Sequence, residues 1–153
     1  MASSKKQANG KNVPPEFFVL DCSIVLAWYF SDESDSYADS VASCLTHSKA
    51  LVPSHWPLEV ANTLIMGERR KRSTESQANA FIQLLRTLPI VVDEATASQT
   101  WSTIMPLARD QSLTVYDAAY LELASRKAAP LATLDTRLHA AAKAIGIPIF
   151  TPT

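Results

Sequence analysis

Phe17-Phe18-Val19-Leu20-Asp21-Cys22-Ser23 is the stretch on which the reading of the fold turns. Four apolar residues, two of them aromatic and one β-branched, predict a short strand buried on both faces. The strand ends abruptly in a carboxylate, and a small polar residue and a helical pattern follow. In an open parallel sheet, the carboxyl ends of strands form the crevice where ligands collect, which places Asp21 for chemistry.

Outward from that stretch, strand-like and helix-like patterns alternate. Ser23 is expected to cap a helix whose opening, Ile24 to Phe30, is apolar nearly all round and therefore buried. A turn at Ser31 to Asp35 leads to a helical pattern over Tyr37 to His47, and Ala50-Leu51-Val52 reads as a second strand. Pro57 suits the first turn of a helix running to about Arg72, with Leu58, Ala61, Leu64 and Ile65 at core spacing and the cations Arg69-Arg70-Lys71-Arg72 at its carboxyl end. Thr74 with Gln77 is a capping-box signature for a further helix carrying Ala78, Phe81, Ile82, Leu84 and Leu85. Pro89 to Val92 reads as a third strand, Glu94 to Met105 as a helix that Pro106 disturbs, and Arg109 to Ser112 as a polar loop. Thr114 opens an Ala-rich helix to about Lys127, and Leu131 to Leu134 reads as a fourth strand. A helix from Thr136 stops at Gly146, and Ile147 to Phe150 reads as a fifth strand, with Pro148 favouring an edge. Short strands separated by helices predict an α/β fold: a three-layer α/β/α arrangement with a mostly parallel central sheet.

Length and charge narrow the function classes. A chain of 153 residues is one domain by size. The two cysteines, Cys22 and Cys44, are too few for a disulfide framework and lack metal-site spacing, so they are expected as thiols in a cytoplasmic protein. Residues 1–15 hold Lys5, Lys6 and Lys11 with no acid and no apolar h-region, which reads as a flexible arm before a domain over 16–153. Of the 14 Lys and Arg, 11 remain in that domain against 15 acids. Mild acidity still admits an RNA substrate if some of those acids hold divalent cations. The longest apolar run, Ile24 to Phe30, is far below the about 20 residues a membrane helix needs, and no membrane partner is expected.

Four acids stand at predicted helix starts: Asp21, Glu59, Asp117 and Asp135. Singly, each is explained by the helix dipole and the unpaired amides of a first turn, and Thr114 with Asp117 resembles a capping box with Asp for Glu. Together they say more, because a helix that follows a parallel strand begins at the carboxyl edge of the sheet. Carboxylates gathered there would raise one another's pKa unless a cation held them, and oxygen-only ligands suit Mg²⁺ or Mn²⁺.

Four segments carry a family resemblance: Val19-Leu20-Asp21-Cys22-Ser23; Leu58-Glu59-Val60-Ala61-Asn62; Thr114-Val115-Tyr116-Asp117-Ala118-Ala119-Tyr120-Leu121-Glu122-Leu123-Ala124; and Ala132-Thr133-Leu134-Asp135-Thr136-Arg137-Leu138. In this order they resemble the motifs of PIN-domain nucleases, closest to the VapC-like toxins of bacterial toxin–antitoxin pairs. The Tyr-Asp-Ala-Ala-Tyr-Leu block is the most specific of them. The resemblance implies a four-carboxylate site of Asp21, Glu59, Asp117 and Asp135, with Ser23, Asn62 and Thr133 supporting it. It implies one or two Mg²⁺ or Mn²⁺ ions and cleavage of RNA by metal-activated water, leaving a 5′-phosphate. It also implies a cognate antitoxin and a homodimer. The N-terminal extension departs from the family, whose members commonly begin almost at the first strand.

Two other readings compete. One is a catalytically silent PIN-like scaffold that binds RNA or protein, against which the presence of all four acids counts. The other is a phosphatase of the haloacid-dehalogenase type with Asp21 as nucleophile, which wants a second Asp where this chain has Ser23. His55, one helical turn before Glu59, reads first as a partly exposed helix-start residue. Trp28 reads as core, Trp56 as the tryptophan nearest the crevice, and Arg69 to Arg72 as a solvated helix end able to track phosphates or bind a partner's acidic segment.

Overall fold

The computed structural model describes residues 13–153, so residues 1–12 of the expected arm lie outside the described residues. Elements follow in the order β1 (Phe17–Leu20), α1 (Cys22–Tyr29), α2 (Ser36–Cys44), β2 (Lys49–Pro53), α3 (Trp56–Arg69), α4 (Glu75–Thr87), β3 (Ile90–Asp93), α5 (Thr96–Gln99), α6 (Met105–Gln111), α7 (Val115–Lys127), β4 (Leu131–Ala132) and α8 (Thr136–Ala144). A 3₁₀ turn, Ser31–Glu33, follows α1, and a π-helical turn, Thr100–Ile104, joins α5 to α6.

The strands form one sheet in the order β3-β2-β1-β4, and all its pairings are parallel. The chain steps from β1 outward to β2 and β3, then crosses back to lay β4 on the other side of β1. Strand order therefore reverses at β1, and the carboxyl ends of β1 and β4 flank a topological switch point. Contacts group α1 with α2 and α3, and α7 with α6 and α8. Right-handed crossovers put these groups on opposite faces, giving the α/β/α layering expected from the sequence.

Residues Ala118 to Ala124 of α7 are buried in an unbroken run, because the sheet, α6 and α8 surround that helix. The one acid in the run, Glu122, is paired there by Arg126, which donates from Nε at 2.7 Å and reaches Asp93 at the end of β3 at 2.6 Å. The core is continuous with β1: Phe18 stacks on Phe150 with ring centroids 4.2 Å apart.

The structure corrects several expectations. The fifth strand reduces to a single bridge between Leu131 and Ile149, since Pro148 has no N–H to extend a ladder. Pro106 disturbs the helix, as expected, but does not end it. The π turn before it absorbs the missing donor, so helix continues to Gln111 through most of the expected polar loop. In α3 the buried stripe is Trp56, Val60, Leu64 and Gly67, while Leu58 is 73 % exposed and Ala61 and Ile65 face outward. Leu58 and Ile65 kept helical spacing with Leu64 on paper, but the face the sheet covers lies about one residue around the helix. The capping box of Thr74 and Gln77 is formed as read. Two successive helices return the chain for a parallel β3 because α4 ends at the amino end of the sheet, where Ala50 N donates to Pro89 O at 2.9 Å. Cys22 and Cys44 are buried free thiols. Among the described residues no helix is long and apolar enough to cross a membrane.

Candidate functional site

Asp21 sits one residue beyond β1, with its amide donating to Ala132 O of β4 at 3.0 Å. That bond fixes it inside the switch point, and its residue is only 5 % exposed. Its Oδ2 accepts two hydroxyls, Ser23 Oγ at 2.6 Å and Thr133 Oγ1 at 2.7 Å. Each of those hydroxyls also accepts a backbone amide, Ser23 from Leu134 and Thr133 from Asp135, both at 3.0 Å. An amide can only donate, so each hydroxyl must spend its one proton on Asp21. The network therefore has one direction, and among the described residues Asp21 Oδ1 receives no hydrogen bond. Ser23 lies within the first turn of α1 and does not cap it; Asp21 occupies the cap position.

The other three acids face the same field. Burial pushes Asp21 up to about 6; the two hydroxyls lower it, and the nearby Glu59 and Asp117 raise it further. Asp117 is raised by burial first, then by Asp135 and Glu59. Thr114 Oγ1 accepts the Asp117 amide at 3.1 Å, but the Asp117 carboxylate makes no return bond, so half of the expected capping box is absent and that carboxylate is not engaged as a cap. Asp135 does cap α8, accepting from Leu138 N at 2.8 Å through Oδ1. Glu59 Oε1 accepts the hydroxyl of Tyr120 at 2.7 Å. Burial beside Asp21 and Glu59 lifts that phenol far above its ordinary range, so it remains a donor.

His55 Nε2 lies 3.0 Å from Glu59 Oε1 but is out of hydrogen-bond alignment. Its ring lies edge-on to Tyr120 and tilted against Tyr116, with centroids 5.6 Å away in each case. Sequence reading takes His55 first as a helix-start residue, one turn from Glu59, and gives Tyr120 no role of its own in the site. The available signal was spacing: Tyr120 follows Asp117 by three residues and Glu59 follows His55 by four, which puts each pair on one helix face. Asn62 is exposed and makes no side-chain hydrogen bond among the described residues. Trp56, the first residue of α3, is only 7 % exposed and offers no face for a base, whereas Trp101 is 84 % exposed. Arg72 meets an acidic segment of its own chain, donating to Asp32 and Glu33 and lying 3.9 Å over the Phe30 ring.

Oxygen donors without Cys suit a hard divalent cation. Among the described residues, no three His, Cys, Asp or Glu side chains are gathered closely enough to cage an ion directly. An open set of carboxylates, each with at least one oxygen that receives no hydrogen bond among the described residues, fits a cation that keeps its waters and binds through one or two carboxylates.

Comparison with known proteins finds a family, a relative and solved structures of similar fold. The family model described as PIN domain matches residues 18–144. Ribonuclease VapC3 of Pyrobaculum aerophilum is 29 % identical over 120 residues, spanning 78 % of this chain and 90 % of that one. The crystal structure of PAE2754 from Pyrobaculum aerophilum aligns with a TM-score of 0.61 at 22 % identity, covering 82 % of this chain and 78 % of that chain. That of VapBC2 from Rickettsia felis, bound to a DNA fragment from their promoter, aligns with a TM-score of 0.58 at 14 % identity, covering 87 % and 96 %.

Proposed function

The chain belongs to the PIN-domain family, and from that premise we propose that it is a divalent-metal-dependent endoribonuclease, the toxin of a toxin–antitoxin pair. The observation that carries the reading is Asp21: a buried carboxylate with a pKa near 6, held by two hydroxyls and opposed by Glu59 and Asp117. Such an arrangement works against folding unless a cation is bound, so its cost points to a role in chemistry. The name of the relative Ribonuclease VapC3 supports RNA as the substrate.

Asp21 and Asp117 are the proposed principal ligands of Mg²⁺ or Mn²⁺, with Glu59 and Asp135 completing the set. Held there, the ion would supply Lewis acidity, lowering the pKa of water and offsetting the charge of the phosphodiester. Ser23 and Thr133 hold Asp21 Oδ2 and leave Oδ1 uncommitted. Asp135, fixed as the α8 cap, has one oxygen engaged by Leu138 N and the other available to the site. No side chain need act as nucleophile. The products are then a 5′-phosphate and a 3′-hydroxyl.

A cognate antitoxin, a homodimer and a cytoplasmic setting belong to the same proposal. The Rickettsia felis neighbour was solved as VapBC2, the exposed Leu58 and Ile65 of α3 supply apolar surface for a partner, and Cys22 and Cys44 stand as thiols.

The test is cleavage of a panel of structured and unstructured RNAs by purified, antitoxin-free protein with Mg²⁺, with Mn²⁺ and with EDTA, beside Asp117→Asn. Metal-dependent cutting, lost by at least 100-fold in the variant and leaving 5′-phosphate ends, is the expected outcome. A 2′,3′-cyclic phosphate product would refute the mechanism. Folded wild type that cuts no RNA would favour the silent-scaffold reading, for which the open spacing of the carboxylates speaks.

A further inference from the structure

We infer that Tyr120 is a positioning residue of the metal site: its hydroxyl fixes Glu59 Oε1 and so presents the remaining oxygen, Oε2, as the one ligand Glu59 offers to the cation. The inference rests on the metal-nuclease reading and deepens it.

Three observations carry it. First, Tyr120 is fully buried in α7, three residues after Asp117, so its ring has no freedom to release the bond. Second, its hydroxyl donates to Glu59 Oε1 at 2.7 Å, and this is the one hydrogen bond that the Glu59 carboxylate receives among the described residues. Third, the bond joins α7 to α3, which approach the site from opposite faces of the sheet. Glu59 is only half-buried and carried on an exposed turn of α3, so without the bond its side chain has several rotamers open to it. A carboxylate with one oxygen held by a buried donor is preorganised as a monodentate ligand. Groups that orient a metal ligand in this way are worth roughly 10- to 100-fold in metal affinity. His55 touches the same oxygen without hydrogen-bond alignment, and therefore serves as the control for contact alone.

The experiment is a calorimetric Mn²⁺ titration of the full chain in four forms: wild type, Tyr120→Phe, Glu59→Ala and the double variant, with His55→Gln beside them. Phenylalanine keeps the buried ring and removes only the hydroxyl, so unfolding temperature in EDTA is expected to change little. The expected result is a Mn²⁺ affinity about 10- to 100-fold lower in Tyr120→Phe, no further loss when Tyr120→Phe is added to Glu59→Ala, and a change under threefold in His55→Gln. In RNA cleavage the Tyr120→Phe loss falls on kcat at limiting Mn²⁺ with KM for RNA unchanged, and saturating Mn²⁺ restores it. Unchanged affinity in folded Tyr120→Phe, or equal losses with and without Glu59, overturns the inference while leaving the nuclease reading intact. Absence of Mn²⁺ binding by the wild type overturns the nuclease reading, and this inference with it. If Tyr120→Phe does not fold, proton NMR of the wild type decides: a slowly exchanging hydroxyl resonance, absent from Glu59→Ala, that shifts on adding Mg²⁺ upholds the inference, and one that ignores saturating Mg²⁺ overturns it.

Discussion

At the scale of single residues, Asp21 sets function against stability. In the folded chain burial, which disfavours the charged form, pushes its carboxyl from the ordinary 3.8 up to about 6. The folded state therefore binds more protons than the unfolded state between those values. Stability falls as pH rises through that window and stays lower above it, by on the order of 2–3 kcal/mol. In EDTA, thermal unfolding of the wild type is expected to weaken from pH 4 to pH 7. Asp21→Asn, whose amide oxygen can still accept both hydroxyls, is expected to remove most of that slope and to be the more stable protein at pH 7. Adding Mg²⁺ should stabilise the wild type and leave the variant unmoved. Parallel pH profiles for the two proteins would show that the buried charge is not what costs stability. Local sequence marked Asp21 as placed for chemistry, but nothing in it revealed that Ser23 and Thr133, 110 positions apart in the chain, share one carboxylate oxygen.

Elements are decided by their ends. Helix α7 begins at Thr114, whose hydroxyl caps it, and finishes at Ala128 in the left-handed region with φ 48°. A side chain with a Cβ pays about 1 kcal/mol there, and glycine does not. Ala128 is exposed and lies at the opposite end of α7 from Asp117, so Ala128→Gly is expected to raise stability by about 0.5–1 kcal/mol, roughly 1–4 °C at this chain length, with RNA cleavage unchanged. A lower unfolding temperature would mean that the cap costs nothing in this context. Caps of this kind were legible at Thr74 and Thr114, where a short pattern names the bond. The π turn before Pro106 was not, because a proline reports only which donor is missing and leaves open whether the backbone breaks or widens by one residue.

For the whole molecule, the order β3-β2-β1-β4 is what brings Asp21 to Thr133 and Asp135. The terminal strand of that order beyond β2, β3, is tied inward by Arg126, which forms a fork on Asp93 and reaches the nearly buried Glu122. The guanidinium holds the Asp93 carboxyl below its ordinary range, so that part of the stability is present above about pH 4 and lost as pH falls through the lowered value. Arg126→Met leaves Glu122 buried without its partner and is expected to cost about 2–4 kcal/mol. Adding Glu122→Gln should recover part of the loss, because the remaining group is then neutral. Urea unfolding of the three proteins measures this, and additive effects would show that the two residues are not coupled.

The sequence by itself determined the alternation of short buried strands and helices, the α/β class, and the four acids standing at helix starts. Each of those follows from local rules: apolar runs of strand length, capping residues, and the preference of acids for helix N-termini. Tertiary structure alone decided the reversal of strand order at β1, which face of α3 is covered, and the bond between Tyr120 and Glu59. These are properties of pairs far apart in the chain. A helix pattern names a stripe only to within a residue or so, and it cannot say which hydroxyl 61 positions away a carboxylate will meet. That meeting is set by how two helices on opposite faces of the sheet converge over its carboxyl edge.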